Sequence, residues 1–222
     1  DVGTAAHKRI LGVGPAIIPA ERTHKDGTKT VADDWRSPST RAHRDELRPE
    51  GAVVLLAKQI EFIEAMHAAL WEHPLTPVLF GDGQAEQSLF WRDPETNVML
   101  RARPDWRTVV DERPILVDVK TTAESAAPTL MWRVAKKYRW HMQDSTYREG
   151  ADTLLGGRHA FVFCVQEKTP PFLPDYFELG DEERLEGADL SGVARRIYAD
   201  CMTTGRWPGY PTEIHRLTFN RY

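Results

Sequence analysis

Cysteine is scarce in this sequence: Cys164 and Cys201 are the two present, too few for a four-thiolate zinc or iron–sulfur site. Cys164 stands in an apolar run and reads as core, and a reducing cytoplasm is the expected compartment. Apolar stretches as long as a membrane span are lacking, and no charged-then-apolar leader opens the chain, so nothing points to export. Positive charge is not in excess either. A formal net charge of −4 argues against a protein that coats nucleic acid nonspecifically, yet leaves room for a local basic track. Internal repeats and low-complexity tracts are missing. What remains, 222 residues of which 41% are hydrophobic, suffices for one core, and a single domain over 1–222 is expected.

The chain is organised around Arg103-Pro104-Asp105 and, about a dozen residues later, Val117-Asp118-Val119-Lys120. Ile115-Leu116-Val117 is an apolar, β-branched run that predicts a buried strand, preceded by the turn-like Asp111-Glu112-Arg113-Pro114. On a strand, residues two apart share a face, so Asp118 and Lys120 point one way and Val119 the other. Burying a carboxylate and an ammonium there costs several kcal/mol unless they are paired, hydrogen-bonded or bound to a metal. Asp105 supplies a second carboxylate. Two converging carboxylates repel unless a divalent cation stands between them, and oxygen ligands suit magnesium or manganese. A plain ion pair at a sheet end, with Asp105 an ordinary turn residue, explains the same letters.

Elsewhere the pattern predicts a short helix over 4–11 carrying His7, stopped by Gly12, Gly14 and Pro15. Residues 21–48 read as a mobile loop followed by a charged helix. Apolar spacing over 53–73 predicts a core helix in which His67 and His73 are structural. Residues 84–91 and 98–103 flank Asp93-Pro94-Glu95-Thr96-Asn97 and predict a hairpin, with Glu86 on its first strand. One long helix is expected over 129–155, with Lys136, Trp140, Gln143 and Tyr147 along one stripe. Strands over 159–166 and 176–179 and a helix over 181–202 complete an α/β domain, a mixed central sheet flanked by helices. Arg101, Arg103 and Arg107, then Arg133, Lys136, Lys137, Arg139 and Arg148, are candidate phosphate tracks.

Arg103-Pro104-Asp105 with Val117-Asp118-Val119-Lys120 resembles the signature of the PD-(D/E)XK nucleases in their RecB-like branch. Gly3-Thr4-Ala5-Ala6-His7 is similar to that branch's G-x-x-x-H helix, and Gln143-Asp144-Ser145-Thr146-Tyr147 to its Q-x-x-x-Y helix. Glu86-Gln87-Ser88-Leu89-Phe90-Trp91, Tyr138-Arg139-Trp140-His141-Met142-Gln143 and Phe161-Val162-Phe163 resemble the RecE-type exonuclease VIII group. The resemblance runs from Gly3 to about Trp207. It implies a restriction-endonuclease-like fold. It also implies magnesium, with manganese substituting, held by Asp105, Asp118, the Val119 carbonyl, His7 and Glu86, and no iron–sulfur cluster. Lys120 would act on the attacking water, and Gln143, Tyr147, Lys136, Trp140 and Arg103 would contact DNA. The implied activity is digestion of linear double-stranded DNA from 5′ ends in recombination or repair, by a homo-oligomer beside a single-strand annealing protein, without a membrane. A structure-specific or restriction-type endonuclease and a non-catalytic DNA-binding module are the alternatives.

Overall fold

The computed structural model describes residues 2–214 and 216. Helix α1 (Val2–Leu11) buries Ala5, Ala6, Ile10 and Leu11 and ends at Gly12, whose φ of 73° suits glycine at a helix C-terminus. A first strand, β1 (Ile17–Pro19), leads into a hairpin of β2 (Glu21–Thr23) and β3 (Lys29–Val31), then α2 (Pro38–Leu47). Residues 21–48 therefore contain a hairpin where a loop was expected. Its strands are three residues each and mostly exposed, so no apolar alternation announces them. Next come β4 (Val53–Leu55), α3 (Ala57–Glu72) and α4 (Leu75–Phe80). The helix expected from residue 53 begins only at Ala57, because Val53–Leu55 pairs in parallel with β1. β-Branched Val53 and Val54 suit that strand, and Gln59 Oε1 accepts the Leu56 N–H at 3.0 Å where the helix starts.

The central sheet is built from β5 (Gln84–Ala85), then, past the hairpin β6 (Leu89–Arg92) and β7 (Met99–Ala102), β8 (Trp106–Val110) and β9 (Arg113–Thr122). Residues 84–91 are thus two strands, not one: the chain leaves the central sheet at Glu86, whose φ is 49°. Asp111 and Glu112 take φ values of 47° and 64° between β8 and β9, the two-residue hairpin geometry that matches strand twist. Helices α5 (Pro128–Lys137) and α6 (Trp140–Leu155) carry the chain across to β10 (Ala160–Glu167), which runs parallel to β9. β11 (Pro174–Phe177) and the long α7 (Asp181–Thr204) follow. The order is β11-β10-β9-β8-β5 with one parallel pairing, the mixed sheet flanked by helices that was expected. The single helix over 129–155 is instead broken at Tyr138 and Arg139, the latter at φ 57°.

Alternation along β9 and β10 sets two core layers. Leu116, Phe161, Phe163 and Val165 pack with Met131, Trp140, Leu89 and Trp91 on one face. Ile115, Val117, Val119, Val162 and Cys164 pack with Ile10, Leu11, Leu70 and Phe80 on the other. Each such fully buried aliphatic or aromatic side chain stabilises the fold by about 1.5–3 kcal/mol. Both cysteines are buried and free. His67 lies against Trp71 and His73 against Tyr176, so both are packed into the scaffold. Among the described residues no helix is long and apolar enough to cross a membrane.

Candidate active site

β9 is apolar from Ile115 to Val117 because both its faces are covered. Asp118 and Lys120 share the face of Leu116, toward α6, while the Val119 side chain joins the opposite layer. Asp118 is 4% exposed, so its charge is stabilised locally. Gln143 Nε2 of α6 donates to Asp118 Oδ1 at 2.5 Å, and the Lys120 ammonium pairs with Asp118 Oδ2. That second oxygen is buried and receives no hydrogen bond, so the ion pair alone holds it.

Asp105 arrives from the neighbouring antiparallel strand, one residue before β8. Its Oδ2 accepts the Val119 N–H at 2.7 Å, which binds the carboxylate to the backbone between Asp118 and Lys120. Burial, then the nearby Asp118 carboxylate, pushes the Asp105 carboxyl above its ordinary range, against the pull of His7, the Val119 N–H and Lys120. His7 Nδ1 on α1 stands 3.7 Å from Asp105 Oδ1, beyond hydrogen-bond length.

These groups line one open cleft of about 550 Å3, together with Arg101, Arg103 and Tyr147. Val119 lines it with its main chain, since its side chain is packed beneath the sheet. The structure thus gathers His7, Arg103, Asp105, Asp118, Val119, Lys120, Gln143 and Tyr147 from α1, β9, α6 and the segment between β7 and β8. Glu86 borders the cleft: its N–H donates to the Asp105 carbonyl at 2.9 Å and its carboxylate lies 3.7 Å from Arg103.

Two expected site residues stand apart. Trp140 is 7% exposed and stacks on Phe163 with ring centroids 4.8 Å apart, so its face is not free for a base. Lys136 belongs to α5, on the other side of the helix break, and lines a separate hollow beside His141 and Glu183. In the other direction, sequence reasoning passed over Lys168. The parallel register of β9 with β10, and a Lys168 N–H to Thr122 carbonyl bond of 2.8 Å, carry it beside the end of β9. No local pattern signals such a long-range pairing.

Among the described residues no three His, Cys, Asp or Glu side chains cluster closely enough to hold an ion unaided. Two carboxylates, a main-chain edge and a peripheral imidazole nevertheless form a hard, incomplete donor set. Magnesium is commonly bound by one or two carboxylates with water and substrate phosphate filling the rest. Asp118 Oδ2, held by the Lys120 ion pair alone, and the raised Asp105 carboxyl are what a divalent cation would satisfy.

A family model described as "PDDEXK-like domain of unknown function (DUF3799)" matches residues 29–218, a span that includes Asp105, Asp118 and Lys120 but not His7. No curated protein matches the chain. Among solved structures, one described as "Putative exonuclease" from Eubacterium rectale is similar with a TM-score of 0.58 at 12% identity, over 96% of this chain and 76% of that one. Another, SSO0001, has a TM-score of 0.37 at 15% identity, over 68% and 71% of the two chains. At such identities the first likeness bears on the fold alone, and the second carries no argument.

Proposed function

This chain belongs to the PDDEXK-like domain family of unknown function, and from that premise we propose that it is a metal-dependent deoxyribonuclease hydrolysing DNA phosphodiester bonds. One observation carries the reading: Asp105 is bound to the backbone of Val119, so two carboxylates and Lys120 converge in an open cleft edged by Arg101 and Arg103. A structural ion pair at a sheet end has no need of the second, buried carboxylate, whose presence costs stability.

Asp105, Asp118 and the Val119 carbonyl would hold magnesium or manganese, with His7 at the edge and Glu86 reaching the site through water. Bound there, the ion supplies charge stabilisation and a more acidic water. The chain's own residues do the rest. Gln143 fixes the Asp118 carboxylate through its 2.5 Å bond. Lys120, released from Asp118, orients the attacking water or, as the ammonium, neutralises charge on the scissile phosphate; only as the neutral amine does it take up the water's proton. Arg101, Arg103 and Tyr147 line the cleft where that phosphate is held.

The finer reading is an exonuclease acting on ends of linear double-stranded DNA, from 5′ to 3′, in recombination or repair. Its support is the RecE-type sequence resemblance, and the Eubacterium rectale protein of similar fold is described as a "Putative exonuclease". A single domain, a homo-oligomeric assembly, an annealing protein as partner and a cytoplasmic setting belong to the same reading.

The test incubates the protein and Lys120→Ala with magnesium, a linear duplex labelled at each end in turn, and a closed circle. Loss of the linear substrate from 5′ ends, slowed by about 10²–10⁴ in Lys120→Ala, is the expected result. Cleavage of the circle moves the assignment to an endonuclease. No cleavage of either leaves a DNA-binding module.

A further inference from the structure

Lys120 and Gln143 also line a second groove, of about 590 Å3, so the two hollows meet at that pair. Its walls are the residues after β9, the end of α5 and the segment beyond β10. Arg133, Lys137 and Lys168 bring three cations to it from two distant segments, against one acid, Glu124. Among the described residues none of the three forms an ion pair or a side-chain hydrogen bond. Arg133 lies over the Trp132 ring and Lys137 over Tyr138, at 5.2 and 5.3 Å. Arg9, Arg113 and Arg196, by contrast, are each matched by a glutamate. Converging, unneutralised cations repel, so this arrangement does not serve the fold.

Tyr138 is the second feature. The residue is 64% exposed on the wall of the groove. It stands where α5 ends, just before Arg139 takes a left-handed φ of 57° without being glycine. Such a conformation costs of order 1–2 kcal/mol in an L-residue. An uninterrupted helix would avoid that cost, and the break leaves the phenol at the surface beside Lys137.

We propose that this groove binds single-stranded DNA: the strand leaving the Lys120 cleft lays its phosphates along Arg133, Lys137 and Lys168, and one base stacks on Tyr138. Stacking on an aromatic ring requires a base freed from its neighbours and its partner, which selects a single strand over duplex. This placement rests on the nuclease reading, and its consequence for substrate is direct: the strand engaged at Lys120 is unpaired on the groove side.

Binding is measured by fluorescence anisotropy in EDTA, so that no cleavage intervenes, with a labelled oligothymidine and a hairpin duplex of equal length. Wild type, Tyr138→Ala and the triple variant Arg133→Ala/Lys137→Ala/Lys168→Ala are compared, each checked for an unchanged melting curve. Tyr138→Ala weakens single-strand binding about tenfold and leaves duplex binding within twofold. The triple variant lowers the salt slope for the single strand by about 2, from some 0.7 per phosphate contact. Equal losses on both DNAs, or none on the single strand, overturn the proposal. Because the readout needs no catalysis, absence of cleavage by the wild type would remove the nuclease assignment while leaving this measurement to stand or fall alone.

Discussion

Two clusters in this molecule are made of the same materials, carboxylates beside cations at the edge of the core, and they are finished differently. Around Arg195 every carboxylate oxygen has a donor. Asp93 Oδ2 accepts from the Thr96 N–H at 2.8 Å and from its hydroxyl at 2.5 Å, and Oδ1 accepts from Arg195 at 3.0 Å. Arg195 also pairs with Glu149, which takes the Trp91 indole N–H at 3.0 Å. Burial pushes the Asp93 carboxyl up, but Thr96 and Arg195 outweigh it and hold the group below its usual range. Around Asp105 the balance is reversed: burial and Asp118 prevail, and the carboxyl is raised. The first cluster ties the β6–β7 hairpin to α6 and α7. The second keeps unspent lone pairs facing a cleft, the mark of a site that spends stability on function.

Exchanging one carboxylate for its amide separates the two clusters most sharply. Asp105→Asn keeps an oxygen for the Val119 N–H while removing a buried charge beside Asp118. On the nuclease reading, magnesium-dependent cleavage falls by about 10²–10³ or more. Thermal unfolding without metal shifts upward by about 2–4 °C, the equivalent of ~1 kcal/mol in a chain of this size. A variant that cleaves normally, or that melts lower, would place Asp105 among the structural acids.

Arg195→Ala probes the finished cluster. It strands Asp93, whose side chain is 8% exposed, and leaves Glu149 without its cation. Removing one partner of a buried pair costs about 3–5 kcal/mol, which lowers the melting temperature by roughly 6–20 °C. Cleavage per folded molecule stays at the wild-type level when assayed well below that transition. A drop in specific activity without a change in melting would join the two clusters functionally and dissolve the contrast.

The difference between the clusters was only partly legible in the sequence. Strand periodicity put Asp118 and Lys120 on one face and Val119 on the other, because β9 is long and regular. The i, i+4 spacing of Gln143 and Tyr147 likewise placed both on one side of α6. The broken helix was not legible: the run Lys136-Lys137-Tyr138-Arg139 holds neither glycine nor proline, and tertiary packing of Trp140 onto Phe163 overrides local preference. Nor was the split at Glu86, where a non-glycine residue takes φ 49° to let β5 join β8 while β6 turns to β7. Asp93 read as a turn residue, which it is. Its bond to Arg195 spans about a hundred residues, and no spacing rule reaches that far.

Asp144 lies between the two extremes, and its effect is on stability alone. It is fully buried on α6, bonded by Arg148 at 2.5 Å through one oxygen, with the other unpaired. Burial raises its carboxyl, Arg148 offsets only part of that, and the group is pushed up to about 6. A carboxyl raised in the folded state binds its proton more tightly there than in the unfolded chain, so stability falls as pH rises. Its contribution is fully present below about pH 4, where unfolded aspartate titrates, and is lost as pH passes through about 6. Asp93, held low, acts with the opposite sign, losing its contribution only as acid protonates it. Asp144→Asn removes the titration while keeping the shape. The melting difference between wild type and Asp144→Asn should therefore move against wild type between pH 4.5 and 7.5, by at most ~3 kcal/mol. A difference that stays constant over that range would mean that Arg148 neutralises Asp144 as fully as Arg195 neutralises Asp93.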